Sequence, residues 1–251
     1  MNTDRVVISR PIELELIRIP AGEFWMGSDK SQDESAGDEE CPPHRVELGE
    51  FYIARTLITN RQYDVFARLI QKKFDVPTGK GDHPAVNVSW RHAVWFCNWL
   101  SERTEKNFCL PSEAQWEKAA RGDDGRVYVW GDEWDGRKAN TMDGGARMTT
   151  RVGMYSPQGD SVFGVTDMLG NVWEWTSSVW GKDSTQAKFK YPYGADDGRE
   201  DLNWGDEYLR VIRGGAFNYD KTFARCAMRY RDAPYNWYWN LGFRVVMKSG
   251  D

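Results

Sequence analysis

Arg210-Val-Ile-Arg-Gly-Gly-Ala-Phe217 and Leu241-Gly-Phe-Arg-Val-Val246 bracket the least ordinary segment of the chain. The apolar pair at 211–212 and the run 243–247 have the length and β-branching of buried strands. Between them stand Asn218, Tyr219, Asp220, Met228, Tyr230, Asp232, Ala233, Tyr235, Asn236, Trp237, Tyr238, Trp239 and Asn240. Five successive large or amide side chains at 236–240 cannot share one core, because a strand alternates its faces and a helix rotates them. Some of these rings must therefore meet solvent. Tyr and Trp offer broad contact at small entropic cost, and Asn and Asp add adaptable hydrogen bonds, the composition of a binding surface. The expectation is a binding face held between strands.

Outward from that segment, the 251-residue chain is rich in rings, with 13 Trp, 11 Tyr and 11 Phe, or 14% aromatic. So many rings serve both as bulky core units and as ligand-facing surface. A net charge of −5 and a pI near 5.4 leave no electrostatic footprint for nucleic acid. No apolar run reaches the length of a bilayer span, so no membrane partner is expected. The first residues lack the apolar core of a secretory signal, which points to a cytoplasmic protein and leaves export or surface display open. Cys41, Cys97, Cys109 and Cys226 form no C-x-x-C pair and read as free thiols, two of them buried.

Residues 13–27 alternate like strands around a Pro20-Ala-Gly22 turn, and Val46, Leu48, Phe51 and Ile53 resume the pattern. The six acidic residues of 29–40 read as a solvated loop, with a cation site as the alternative. Thr59-Asn-Arg-Gln62 and Ser112-Glu-Ala-Gln115 have capping-box spacing, predicting helices that begin there. A further helix is predicted from Ser89 to about Arg103, with Cys97 in the core. The stretches 123–164 and 181–206 show no regular pattern, and loops of that length are usually functional or tethered. The chain reads as a single α+β, loop-rich domain over residues 1–251.

Several phrases together resemble the formylglycine-generating enzyme (sulfatase-modifying factor) family, an irregular variant of the C-type lectin fold. They are Phe24-Trp-Met-Gly27, Pro43-His-Arg-Val46, Thr59-Asn60, His83-Pro-Ala-Val-Asn-Val-Ser-Trp90, Leu110-Pro-Ser-Glu-Ala-Gln-Trp-Glu117, Trp130-Gly131, Gly170-Asn-Val-Trp-Glu-Trp175, Arg213-Gly-Gly215 and Gly242-Phe-Arg244. They occur in family order and cover residues 14–247. The resemblance implies a structural calcium ion, held by the carboxylates of Asp167 and Glu174 and the carbonyls of Gly170 and Val172, a mixed oxygen set suited to Ca²⁺. The alternative for these residues is that Asp167 caps a turn and Glu174 pairs with an arginine. A second family calcium position would use Asn140 and the carbonyl of Thr141.

The family's oxidase holds copper between two cysteine thiolates in its C-terminal segment, as soft Cu(I) requires. Tyr219 stands at the first of those positions, Ala216 replaces the neighbouring serine, and 221–225 contains no cysteine. Cys226 lies at a different position, so no copper is expected and enzymatic activity is not the leading reading. The terminal segment instead resembles the variable regions made by diversity-generating retroelements on the same fold. Arg213-Gly-Gly215, Arg225, Arg229, Arg231, Pro234 and Leu241-Gly-Phe-Arg244 fit the constant frame, and residues 218–240 between them fit the diversified slots. Under that reading 210–246 is a variable ligand-binding region for a protein or glycan. The arginines Arg213, Arg229, Arg231 and Arg244 are assigned to structural pairing beneath it. A formylglycine-type oxidase working through Cys226 and a purely structural or assembly module are the two other readings.

Overall fold

Leu14, Leu16, Ile17 and Ile19 bury their side chains from β2 (Leu14–Ile19), which is flanked by β1 (Arg5–Ile8) and β5 (Phe51–Ala54). Two more strands join this sheet, β11 (Val246–Lys248) against β5, then the two-residue β6 (Phe108–Cys109). The beginning and end of the chain thus share one five-stranded sheet. β3 (Gly22–Met26) and β4 (His44–Leu48) form a separate antiparallel hairpin. This computed structural model describes residues 5–249 other than 72 and 75.

The second sheet has the order β10-β7-β8-β9, built from β7 (Trp173–Gly181), β8 (Leu209–Arg213), β9 (Tyr230–Asp232) and β10 (Leu241–Gly242). Every residue of β7 is buried. Such a strand needs polar partners inside, and Thr176 Oγ1 donates to Val211 O at 2.8 Å. β10 runs parallel to β7 while β8 and β9 are antiparallel, so β7 is covered along both edges. Gly214 and Gly215 turn the chain out of β8 at φ +96° and +75°. A Cβ on Gly214 would sit 2.9 Å from Met168 O, and one on Gly215 2.8 Å from Phe223 O. The turn therefore demands glycine twice over.

Three helices begin where the sequence places their caps. α1 (Asn60–Leu69) and α3 (Glu113–Arg121) carry full capping boxes on Thr59 and Ser112, and Ser89 caps α2 (Trp90–Thr104). Tyr63, Phe66, Phe96 and Phe243 interlock edge to face between α1, α2 and the C-terminal strands. Cys97 and Cys226 are buried free thiols, in line with the sequence reading. Trp95 leaves the stripe expected for α2 and is 51% exposed.

The acidic loop is not simply solvated. Asp33 and Glu40 are buried, and the Arg225 guanidinium donates to Asp33 Oδ2 at 2.6 Å and to Glu40 at 2.6 and 2.8 Å. Charges taken out of water must be paired, and the partner lies almost two hundred residues away in sequence. The long stretches after α3 contain no regular element before β7. Their order comes from side chains bonding main chain: Asn140 Nδ2 donates to Met148 O at 2.9 Å, and Asn171 Oδ1 accepts from Thr150 N at 3.0 Å. Among the described residues no helix is long and apolar enough to cross a membrane.

Candidate binding face

Four buried arginines carry the C-terminal segment. Arg213 donates to Glu117 and to the carbonyls of Cys226, Ala227 and Met228 at 2.9, 2.8 and 2.7 Å. Arg229 grips Glu113 with two bonds of 2.7 and 2.9 Å, and Arg199 reaches the same carboxylate at 3.3 Å. Arg225 holds the acidic loop, and Arg244 holds Glu174. Glu113 and Glu117 come from α3, one turn apart on its inner face, so a single helix anchors two arginines of the frame. Burial alone would raise the Glu113 carboxyl, but Arg229, Arg213 and Arg199 together hold it below its ordinary range. Arg231 departs from the expected role: its guanidinium lies over the Trp180 and Tyr230 rings, at 4.9 and 4.8 Å, instead of over a carboxylate.

On this frame the predicted site residues separate by depth. Tyr235, Trp237, Tyr238 and Trp239 are exposed at 61, 63, 43 and 55%. Asn218 is exposed as well; Tyr219, Asp220, Tyr230, Asp232 and Asn236 are half-buried. Met228, Ala233 and Asn240 are buried, which corrects their placement on the face. Met228 and Ala233 face inward from the segments flanking β9, and Asn240 spends its amide on Asn218 Oδ1 at 3.0 Å. Asp220 caps a short 3-10 turn, accepting from Thr222 N at 2.9 Å.

The exposed loop is fixed by its backbone. Asn87 N donates to Tyr238 O at 2.9 Å, Trp173 N to Asn240 O at 2.8 Å, and Asn236 N to Ala233 O at 2.9 Å. Its rings separate three depressions. Tyr235 and Trp237 line a groove of about 630 Å³ with Trp95, Phe74 and Arg91. Trp239 packs against Phe217 with the rings tilted, centroids 4.9 Å apart, and borders a second, of about 260 Å³, with Met148. Tyr219, Tyr230, Asp232 and Tyr238 surround the third, about 360 Å³, floored by Trp173. Sequence reasoning missed Trp95, Phe74, Met148 and Trp173 as neighbours of the face. Only Trp95 left a signal, as a ring too many for the apolar stripe of its helix.

The residues expected to hold calcium are otherwise engaged. Glu174 accepts from Arg244 Nε at 2.7 Å and Nη2 at 2.8 Å, one bond to each oxygen, and from Trp116 Nε1 at 3.0 Å. Asp167, at φ +52°, accepts from Gly153 N at 2.5 Å and from the Thr166 hydroxyl at 3.2 Å. Burial pushes its carboxyl up to about 6. The Arg244 guanidinium also reaches the carbonyls of Thr166 and Asp167 at 3.0 and 3.4 Å. The arginine pair named as the alternative for Glu174 is what forms, while both bonds to Asp167 fall on Oδ2 and Glu174 Oε1 accepts a single bond, which leaves carboxylate lone pairs beside the carbonyls of Gly170 and Val172. At the second position Asn140 Oδ1 already accepts from Ala146 N at 3.0 Å.

Cys226 is fully buried, and burial pushes its thiol up to about 12. Nucleophilic or metal-binding sulfur is thiolate, and this environment opposes it.

An irregular α+β fold of small sheets and long tethered loops, with its C-terminal strands framing a display surface, defines the formylglycine-generating-enzyme type of the C-type lectin architecture. Residues 8–249 match the model of the sulfatase-modifying factor enzyme 1-like domain, and the chain belongs to that family. It is 28% identical to the formylglycine-generating enzyme of Bos taurus, over 92% of this chain and 74% of that protein. To the enzyme of the same name from Streptomyces coelicolor it is 30% identical, over 92% and 88% of the two chains. Among solved structures, PvdO from Pseudomonas aeruginosa superposes with a TM-score of 0.79 at 26% identity, over 94% of this chain and 95% of that one. Variable protein 1 of Treponema denticola gives 0.75 at 19% identity over 98% and 99%, a likeness of fold alone.

Proposed function

We propose that this protein is a non-enzymatic binder whose C-terminal face, residues 218–239, recognises a protein or glycan ligand. The observation that carries the reading is the contrast between exposed Tyr235, Trp237, Tyr238 and Trp239 and the fully buried arginines beneath them. A surface already rigid in the free protein loses little ordering entropy on binding. Rings supply contact area, and Asn218, Asn236 and Asp232 supply direction. The loops behind the face are tied by Arg244 and Arg225, so the reading needs no bound metal. Sequence variation concentrated at 218–240 is part of the proposal, and a near-identical template repeat beside the gene together with a reverse transcriptase would support it.

Glycan and random-peptide arrays, probed with the wild-type protein and with Trp237→Ala, test the function directly. Ligands bound by the wild type and lost by the variant support it; arrays that stay blank, or binding indifferent to the substitution, overturn it. A second reading, an oxidase, is favoured by the kinship with formylglycine-generating enzymes. Titration with Cu(I) and mass detection of aldehyde on a cysteine peptide decide that question, and stoichiometric copper with product would replace the binding proposal.

A further inference from the structure

The third depression of the face holds two polar groups that the protein leaves unmatched. Trp173 is 2% exposed, and its buried indole Nε1–H has no hydrogen-bond partner. Its ring meets Tyr219 edge-on at 5.4 Å and stacks on Tyr230 at 5.4 Å. The N–H does not reach hydrogen-bond geometry with the Tyr219 hydroxyl, and burial keeps that phenol above its ordinary range. A buried donor without an acceptor costs stability, and an acceptor delivered by a ligand would recover it.

The second group is Asp232. Tyr230 and Asp232 alternate along β9 with Arg231, whose guanidinium lies over the Trp180 and Tyr230 rings and borders the same depression without an ion pair to the carboxylate. Both hydrogen bonds to the Asp232 carboxylate fall on one oxygen: Oδ1 accepts from Asn236 Nδ2 at 2.6 Å and from Ala233 N at 2.7 Å. No cation among the described residues forms a salt bridge with it. Tyr219, Tyr230 and Tyr238 line the same depression as this carboxylate. Burial, then Tyr230, raises Tyr219, with Asp232 adding to the effect, and Tyr238 is raised by burial and by Asp232.

Resting on the binding-face reading, we infer that the cleft between Trp173, Tyr219, Tyr230, Asp232 and Tyr238 takes an alkylammonium group, of the kind a lysine side chain carries on a peptide. One carboxylate oxygen remains open, which suits a compact ammonium. A guanidinium fork wants two oxygens side by side. The phenol oxygens accept the remaining ammonium protons. The Trp173 N–H then meets a carbonyl of the same ligand.

The probe is Nα-acetyl-lysine N-methylamide, titrated into the ¹⁵N-labelled protein and read on the Trp173 indole resonance, with the norleucine analogue as its uncharged counterpart. The lysine probe is expected to shift that resonance saturably, and the norleucine analogue to bind at least tenfold more weakly. Asp232→Asn should bring the lysine probe down to the norleucine level, while Val7→Ala, exposed on β1 and outside the face, leaves it unchanged. Equal binding of the two probes to the wild type overturns the inference without need of any variant, and so does an Asp232→Asn protein that still prefers lysine. Array ligands that depend on Trp237 while the lysine probe fails to bind would sink the ammonium assignment alone; blank arrays with a bound lysine probe would sink the wider face and keep the cleft.

Discussion

The C-terminal segment and the α3 region meet across a few ångströms yet follow opposite rules. Glu113 and Glu117 on α3, with Arg213 and Arg229 facing them, are completely buried and joined as ion pairs. Tyr235, Trp237, Tyr238 and Trp239, six to ten residues past Arg229, stand largely in solvent and touch little. The first region places charge where hydrophobic packing would be expected, and the second places rings where charge would be expected. Buried ion pairs contribute little net stability compared with apolar replacements, but removing one partner strands the other. Such pairs therefore specify position more than they add strength. The difference assigns the two regions separate roles: one fixes the geometry of the segment, the other is available for contact.

The sharpest way to break this comparison is on the buried side. Glu113→Gln leaves Arg229 without a countercharge and Arg199 with Asp197 alone, and the protein should lose about 3–5 kcal/mol in urea unfolding. A loss no larger than that of a surface substitution would show that the frame is not a frame. On the exposed side, Trp237→Ala should leave unfolding within about 0.5 kcal/mol of wild type. The same change should weaken an array-selected ligand by about 2 kcal/mol or more if the ring is a hot spot.

A smaller effect is expected on acidification. His44 accepts the Tyr193 N–H on Nε2 at 2.7 Å and donates from Nδ1 to Pro42 O at 2.9 Å, a pattern only the neutral ring can make. Burial lowers its pKa in the folded protein. A depressed folded pKa means stability fully present above the unfolded value of about 6.5 and lost as pH falls through the folded one. Melting temperature should decline over that window, and His44→Gln should flatten the decline. The smallest effect concerns calcium. A chelator should leave the melting temperature unmoved, and a clear drop would show that a cation can displace Arg244 from Glu174.

How much could be read in advance depended on distance along the chain. Thr59 with Gln62 and Ser112 with Gln115 announce their helices because a capping box spans four residues. The crowding at 236–240 announced exposure for the same local reason. Asp33 and Glu40 read as solvated because Arg225, which buries them, is remote in sequence. Slots inferred from the spacing of a frame carry no information about depth, so Met228, Ala233 and Asn240 were placed on a face they lie beneath. Trp173 sits in a fully buried strand that mixes rings with Glu174, Thr176, Ser177 and Ser178, and nothing in the sequence distinguishes an indole N–H that finds a partner from one that does not.

The tip of the ring-bearing loop is stitched to Asn87 through the Tyr238 carbonyl, an atom that every amino acid possesses. Replacing the side chains at 237–239 would leave that stitch in place. The path of the loop is thus independent of what it shows, and the tip can be rewritten without being rebuilt.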